Sequence, residues 1–164
     1  MQHALFISGA MSNPGHRAVA DDIRDDELTR RVIGCAIAVH RTLGCGLLES
    51  AYDECLAYEL VKNGFGVARH VTMPVIYDGV RMELGYKPDL IINGELIVEL
   101  KVVTQLLPVH EAQLLTYLRL SGIQRGLLMN FYSHPLAKGI RRMVLSHTPP
   151  SSTPRSPRSP RSPR

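Results

Sequence analysis

The chain has 164 residues, 45% of them hydrophobic and 21% charged, which is the make-up of one ordinary globular domain with tails. Aromatic residues are 5% of the chain and Trp is absent, which argues against a base-stacking platform. The net charge of +4 sits in the C-terminal tail, where Arg155, Arg158, Arg161 and Arg164 stand without an acid. The rest of the chain is balanced, so net charge says nothing about what the folded part binds.

No apolar run approaches the roughly 20 residues of a membrane-spanning helix. The apolar stretch Ala4–Met11 is short and no basic residue precedes it. Neither a secretory signal nor a membrane partner is expected, and the cytoplasm is the expected location. Cys35, Cys45 and Cys55 have no CxxC spacing. They do not make a disulfide framework or a zinc site.

Residues 1–24 lack periodicity and carry the turn signal Asn13-Pro14-Gly15, so they read as a loose N-terminal extension. A folded unit is expected over 25–146. Asp25 or Asp26 can cap a first helix with Leu28, Val32, Ala36 and Val39 on one face, ending near Leu43-Gly44. After the Gly44-Cys45-Gly46 turn, a second helix starts near Leu48. Its stripe is Leu48, Tyr52, Cys55 or Leu56, and Leu60, and it stops at Gly64.

The period then becomes that of strands. Val67–Val71 and Met73–Tyr77 are followed by the hairpin signal Asp78-Gly79 and by Val80–Tyr86. Asp89–Ile92 is a short strand, joined through Asn93-Gly94 to Glu95–Val102. Its continuous apolar run Leu96-Ile97-Val98 marks a central strand covered on both faces. Pro108 opens a helix with the stripe Val109, Ala112, Leu115 and Leu118, closed by Gly122. Arg125–Tyr132 reads as a strand and Leu136–Leu145 as a final amphipathic helix. The economical α/β architecture is one central mixed sheet flanked by helices. Residues 147–164 end in three Ser-Pro-Arg repeats, a disordered Pro/Ser/Arg tail that proline keeps extended and unpacked. It reads as a solubilising end, or else as an electrostatic tether to nucleic acid or a phosphorylation target.

Asp89, Glu99 and Lys101 form the informative cluster. Residues two apart on a strand share a face, so Glu99 and Lys101 point the same way. The turn at Asn93-Gly94 folds Asp89 back toward Glu99. Charges beside Ile97 and Val98 need pairing or coordination, and oxygen ligands suit Mg²⁺ or Mn²⁺. A plain Glu–Lys ion pair is the bland alternative. Glu49 stands at a helix start, where a first-turn acid is ordinary. Gln113 and Tyr117, four apart, share a helix face with His110 one turn earlier.

Gly46-Leu47-Leu48-Glu49-Ser50-Ala51-Tyr52 resembles the signature of the GxxExxY family. Pro88-Asp89 followed by Glu99-Leu100-Lys101 resembles the core motif of the PD-(D/E)XK nuclease superfamily, to which that family belongs. Gln113-Leu114-Leu115-Thr116-Tyr117 is similar to the QxxxY helix of its exonuclease-like branches, and Gly126–Phe131 to the family's penultimate strand. The resemblance spans about residues 27–145. It implies a restriction-endonuclease-like αβββαβ core with extra terminal helices. It also implies Mg²⁺- or Mn²⁺-dependent hydrolysis of phosphodiester bonds in nucleic acid, DNA ahead of RNA. Asp89 and Glu99 would be metal ligands, with the Leu100 carbonyl as a third. Lys101 would orient water and stabilise charge, Glu49 would complete the acidic site, and Gln113 and Tyr117 would position substrate. Gly46 and Tyr52 would shape and pack their helix. The three cysteines do not fit the four-cysteine iron–sulfur cluster of some members, so none is expected.

A catalytically silent nuclease fold serving as a binding or assembly module is the alternative. A nucleotide-binding protein lacks its Gly-rich fingerprint here. A duplex-binding face would require Arg41, Arg69, Arg81, Arg119, Arg141 and Arg142 to gather.

Overall fold

The computed structural model describes residues 26–145. The expected N-terminal extension, Asp25 and the Pro/Ser/Arg tail lie outside the described residues. Asp26 caps helix α1 (Glu27–Leu43): its carboxylate accepts the Thr29 N–H at 2.9 Å. Val32, Ala36 and Val39 are buried as the helical spacing predicts. Helix α2 (Glu49–Lys62) buries Tyr52, Leu56 and Leu60, whereas Leu48 stands exposed at the N-cap. The stripe therefore begins one turn later than its spacing suggests, because a cap residue lies off the helical path.

Seven strands follow: β1 (Val67–Arg69), β2 (Met73–Tyr77), β3 (Val80–Tyr86), β4 (Leu90–Ile92), β5 (Leu96–Lys101), β6 (Arg125–Asn130) and β7 (Ile140–Val144). Helix α3 (Pro108–Ser121) joins β5 to β6. The main sheet has the order β1-β4-β5-β6-β7. Among the described strands of this sheet only β5 and β6 are parallel, as a helical crossover allows. The Asn93-Gly94 turn has both residues at positive φ, 52° and 71°, the left-handed region that Asn and Gly enter at low cost. It sets Leu90 opposite Val98.

Two layers of helix enclose this sheet. Leu90, Ile92, Leu96, Val98, Leu100, Leu127 and Met129 pack with α1 and α2. Ile97 and Leu128 pack with Leu114, Tyr117 and Leu118 of α3. Alternation therefore puts Glu99 and Lys101 on the α3 side.

Three expectations are corrected. Leu136–Leu145 is a 3₁₀ turn, Leu136–Gly139, followed by strand β7. The free edge of β6 offers a ladder to that segment, and Gly139 interrupts a helix there. The hairpin β2–β3 forms its own two-stranded sheet instead of joining the central one. His70, at φ 48°, ends β1 at Arg69 and turns the chain away from the sheet. The buried face of α3 is Leu114, Tyr117 and Leu118, while Val109 is exposed. Apolar residues lie almost all round this helix, so spacing alone does not phase it.

Candidate active site

The site forms at the C-terminal end of β5, where four elements meet. Asp89 lies one step beyond the Leu90–Val98 pair, opposite Glu99. Its Oδ2 accepts the Leu100 N–H at 2.7 Å, which fixes the carboxylate against β5. The backbone of the next segment clamps it from the other side, His70 N–H donating to the Asp89 carbonyl at 3.1 Å.

Glu99 is 2% exposed. Its Oε1 accepts from Lys101 Nζ at 2.5 Å, while Oε2 is buried without a hydrogen-bond partner among the described residues. Burial and then the neighbouring Asp89 charge push the Glu99 carboxyl up to about 7. Burial also raises Asp89, opposed by the Leu100 N–H and Lys101 and reinforced by the charges of Glu49 and Asp53. Burial works against the Lys101 ammonium, but Glu99, Glu49 and Asp89 outweigh it and the group is held above its ordinary range.

Lys101 Nζ also donates to the Leu100 carbonyl at 2.8 Å. The ammonium thus bridges the Glu99 carboxylate and the Leu100 carbonyl, two of the three oxygens that the motif would offer a cation. Among the described residues no three His, Cys, Asp or Glu side chains stand together as a ready-made metal cage. Two carboxylates and a carbonyl are hard oxygen donors of the kind Mg²⁺ and Mn²⁺ prefer. The orphaned Glu99 Oε2 is a buried acceptor with nothing to satisfy it, so the donor set fits a cation that Lys101 would yield to.

Glu49 reaches the same end of β5 from the first turn of α2, its Oε2 accepting the Val102 N–H at 3.2 Å. The loop before it is held by Tyr52. That ring is fully buried and stacks on Phe131 at 4.6 Å between centroids. Its hydroxyl donates to the Gly44 carbonyl at 2.6 Å and accepts the Leu47 N–H at 3.3 Å. Gly46 in that loop has φ 114°, which a side chain would strain. On α3, Gln113 Nε2 donates to the Tyr117 hydroxyl at 2.9 Å. Burial raises the Tyr117 hydroxyl, and the charges of Glu99 and Asp89 add to this. His110 serves the helix start instead: its Nδ1 accepts the Leu107 N–H at 3.1 Å.

Sequence reading missed Asp53. It is 5% exposed, pairs with Arg69 and lies 3.2 Å from His70 Nε2, and its Oδ1 has no hydrogen-bond partner among the described residues. Its position four residues after Glu49, on the same helix face, was the available signal. Arg69 also meets Glu54 at 2.5 Å and Arg81 meets Glu83 at 2.7 Å. These two arginines are neutralised locally and do not join a basic face. A 570 Å³ groove between α1 and α2, lined by Val39, Cys55 and Tyr58, contains none of the site residues. No helix among the described residues is long and apolar enough to cross a membrane.

Residues 26–143 match the sequence profile of the PD-(D/E)XK nuclease superfamily. No match was found among curated proteins or among solved structures. With the mixed sheet, the Asp89–Glu99–Lys101 arrangement and this match together, the chain belongs to the PD-(D/E)XK nuclease superfamily.

Proposed function

We propose that this protein is a metal-dependent nuclease that hydrolyses phosphodiester bonds of DNA or RNA, at a site made of Asp89, Glu99 and Lys101. The observation that carries the reading is a buried glutamate with one orphaned oxygen, set between a second carboxylate and an ammonium on a central strand. A chain that kept these groups for packing alone would be better served by apolar residues of the same volume. The GxxExxY signature supports the reading by bringing Glu49 to the same strand end.

Asp89 and Glu99, with the Leu100 carbonyl, would hold Mg²⁺ or Mn²⁺. When bound, that cation supplies positive charge to the phosphate and acidifies water. Lys101, released from the Glu99–Leu100 bridge, turns its ammonium to the attacking water and the nonbridging phosphate oxygens, where negative charge grows. Glu49 holds the Val102 N–H and keeps the end of β5 in place, and its charge adds to that of Glu99 in favouring the Lys101 ammonium. The Tyr117 hydroxyl, oriented by Gln113, donates toward the substrate from the α3 side.

Purified protein should cut single- or double-stranded DNA or RNA with Mg²⁺ or Mn²⁺ and stop when a chelator is added. Lys101→Ala should lower turnover by about 10²-fold or more while leaving the fold intact. Wild-type protein inert on all four substrates with either metal would overturn the proposal in favour of a binding or assembly module.

A further inference from the structure

The α3 face of the sheet extends past the site toward β7, and its register places a second set of charges there. Glu99 lies opposite Leu128, and Leu128 lies opposite Arg141. The three residues form one row, and directly opposed residues share a face. With strands spaced by about 4.8 Å, the Arg141 backbone stands about 10 Å from that of Glu99. Met143, two residues further along β7, packs against the α3 cluster, which fixes the same face for Arg141.

Arg141 lines a cavity of about 210 Å³ with Lys138, Ser133, Thr104 and Gln105. The wall nearest the site is the segment that leaves β5 just after Lys101. None of the described residues lining the cavity is acidic. Arg30, Arg69, Arg81 and Arg125 each meet a carboxylate. Among the described residues Arg141 donates only to the Lys138 and Ile140 carbonyls, at 3.3 and 3.4 Å. Within the described residues the Lys138 ammonium, the Thr104 and Ser133 hydroxyls and the Gln105 amide have no hydrogen-bond partner.

The fold also builds this corner closely. A Cβ on Gly139 would lie 2.7 Å from the Asn130 carbonyl oxygen and 2.5 Å from Ser133 Oγ. The 3₁₀ turn can therefore press onto the end of β6 only because that residue is glycine. The press holds Lys138 and Arg141 on either side of Gly139 and Ile140, in the wall of a cavity that Ser133 and Gln105 also line.

Two cations and three neutral hydrogen-bond groups without a carboxylate are a recognition set for a phosphate. We propose that this cavity binds a backbone phosphate of the nucleic-acid strand whose scissile linkage lies at Asp89, Glu99 and Lys101. The proposal rests on the nuclease reading for the identity of that strand. The cavity is a positioning subsite, separate from the reacting groups. It sets the direction in which the strand leaves the site, over the β5–α3 connection toward β7.

The test is binding of a fluorescein-labelled single-stranded DNA oligonucleotide to the full-length chain in EDTA, followed by anisotropy across a salt series. The variants are Lys138→Gln with Arg141→Gln, and a control pair, Arg41→Gln with Arg119→Gln, which removes two charges elsewhere. Thermal melts check that both pairs fold. The site pair should bind about tenfold more weakly near physiological salt, and its log–log salt slope should be shallower by about 0.7, as for one lost single-strand phosphate contact. The control pair should keep most of the wild-type slope. Equal losses in the two pairs, an unchanged slope in the site pair, or no binding by wild-type protein would overturn the subsite. Because EDTA suppresses cleavage, the result stands apart from the activity assay. An inert protein that still loses its slope keeps the subsite and loses the nuclease. An active protein with an unchanged slope keeps the nuclease and loses the subsite.

Discussion

Glu99→Gln is the most informative single change, because it separates a buried titrating carboxyl from a fixed ion pair. In the metal-free protein the Glu99 carboxyl titrates near 7, against an ordinary value of 4.5. At about 1.4 kcal/mol for each tenfold change in proton affinity, that difference is worth about 3 kcal/mol. The sign follows from which state holds the proton more tightly. The folded chain does, so Glu99 contributes its full stability below pH 4.5 and loses it as pH rises through about 7. Gln at this position stays neutral, keeps an oxygen for Lys101 Nζ and has no such loss. Melting curves in EDTA should therefore agree for the two proteins near pH 4.5. They should diverge by pH 8, with the variant higher by about 10 °C for a domain of this size. Adding Mg²⁺ at pH 8 should raise the wild-type melting temperature, because a ligand of the folded state alone stabilises by mass action. It should leave the variant where it was. Parallel pH profiles for the two proteins in EDTA would refute the account of Glu99 as a strained, cation-ready carboxyl.

Tyr52→Phe keeps the stack on Phe131 and removes the bonds to Gly44 and Leu47. It should cost about 1–2 kcal/mol in urea denaturation and reduce cleavage by loosening the loop that aims Glu49. Gly139→Ala should destabilise by about 1–3 kcal/mol on the same assay, since its Cβ meets backbone that cannot yield. Asp26→Ala removes the α1 cap and a 2.7 Å ion pair with Arg125, and should cost about 1–2 kcal/mol. Activity should be nearly unchanged there, which would separate a stability effect from a site effect.

The local signals in the sequence were strong where they were chemical. Asn93-Gly94 can enter left-handed backbone cheaply, so it specified a turn, and that turn alone required Asp89 to return beside Glu99. The two-residue period of a strand put Glu99 and Lys101 on one face. The run Leu96–Val98 marked β5 as central, and its burial on both faces agrees. Tyr52 read as a packing residue and is one, though nothing in its spacing disclosed that its hydroxyl ties down the loop before Glu49.

Long-range competition decided the rest. The segment 140–144 has a helix-compatible pattern, but the unpaired edge of β6 offers ladder hydrogen bonds that an isolated short helix lacks. Whether α3 buries Leu114 or Leu115 depends on which stripe meets Ile97 and Leu128, and those partners are distant in sequence. The Asp53–Arg69–His70 cluster joins a helix to a strand end, so no local period announces it. The same holds for Arg141. Its place in one row with Glu99 arises from a parallel pairing and an antiparallel one across three strands. Sequence carries such a relation only through the sheet that both pairings build, because strand order is fixed by which apolar faces the helices cover and not by any neighbouring residue.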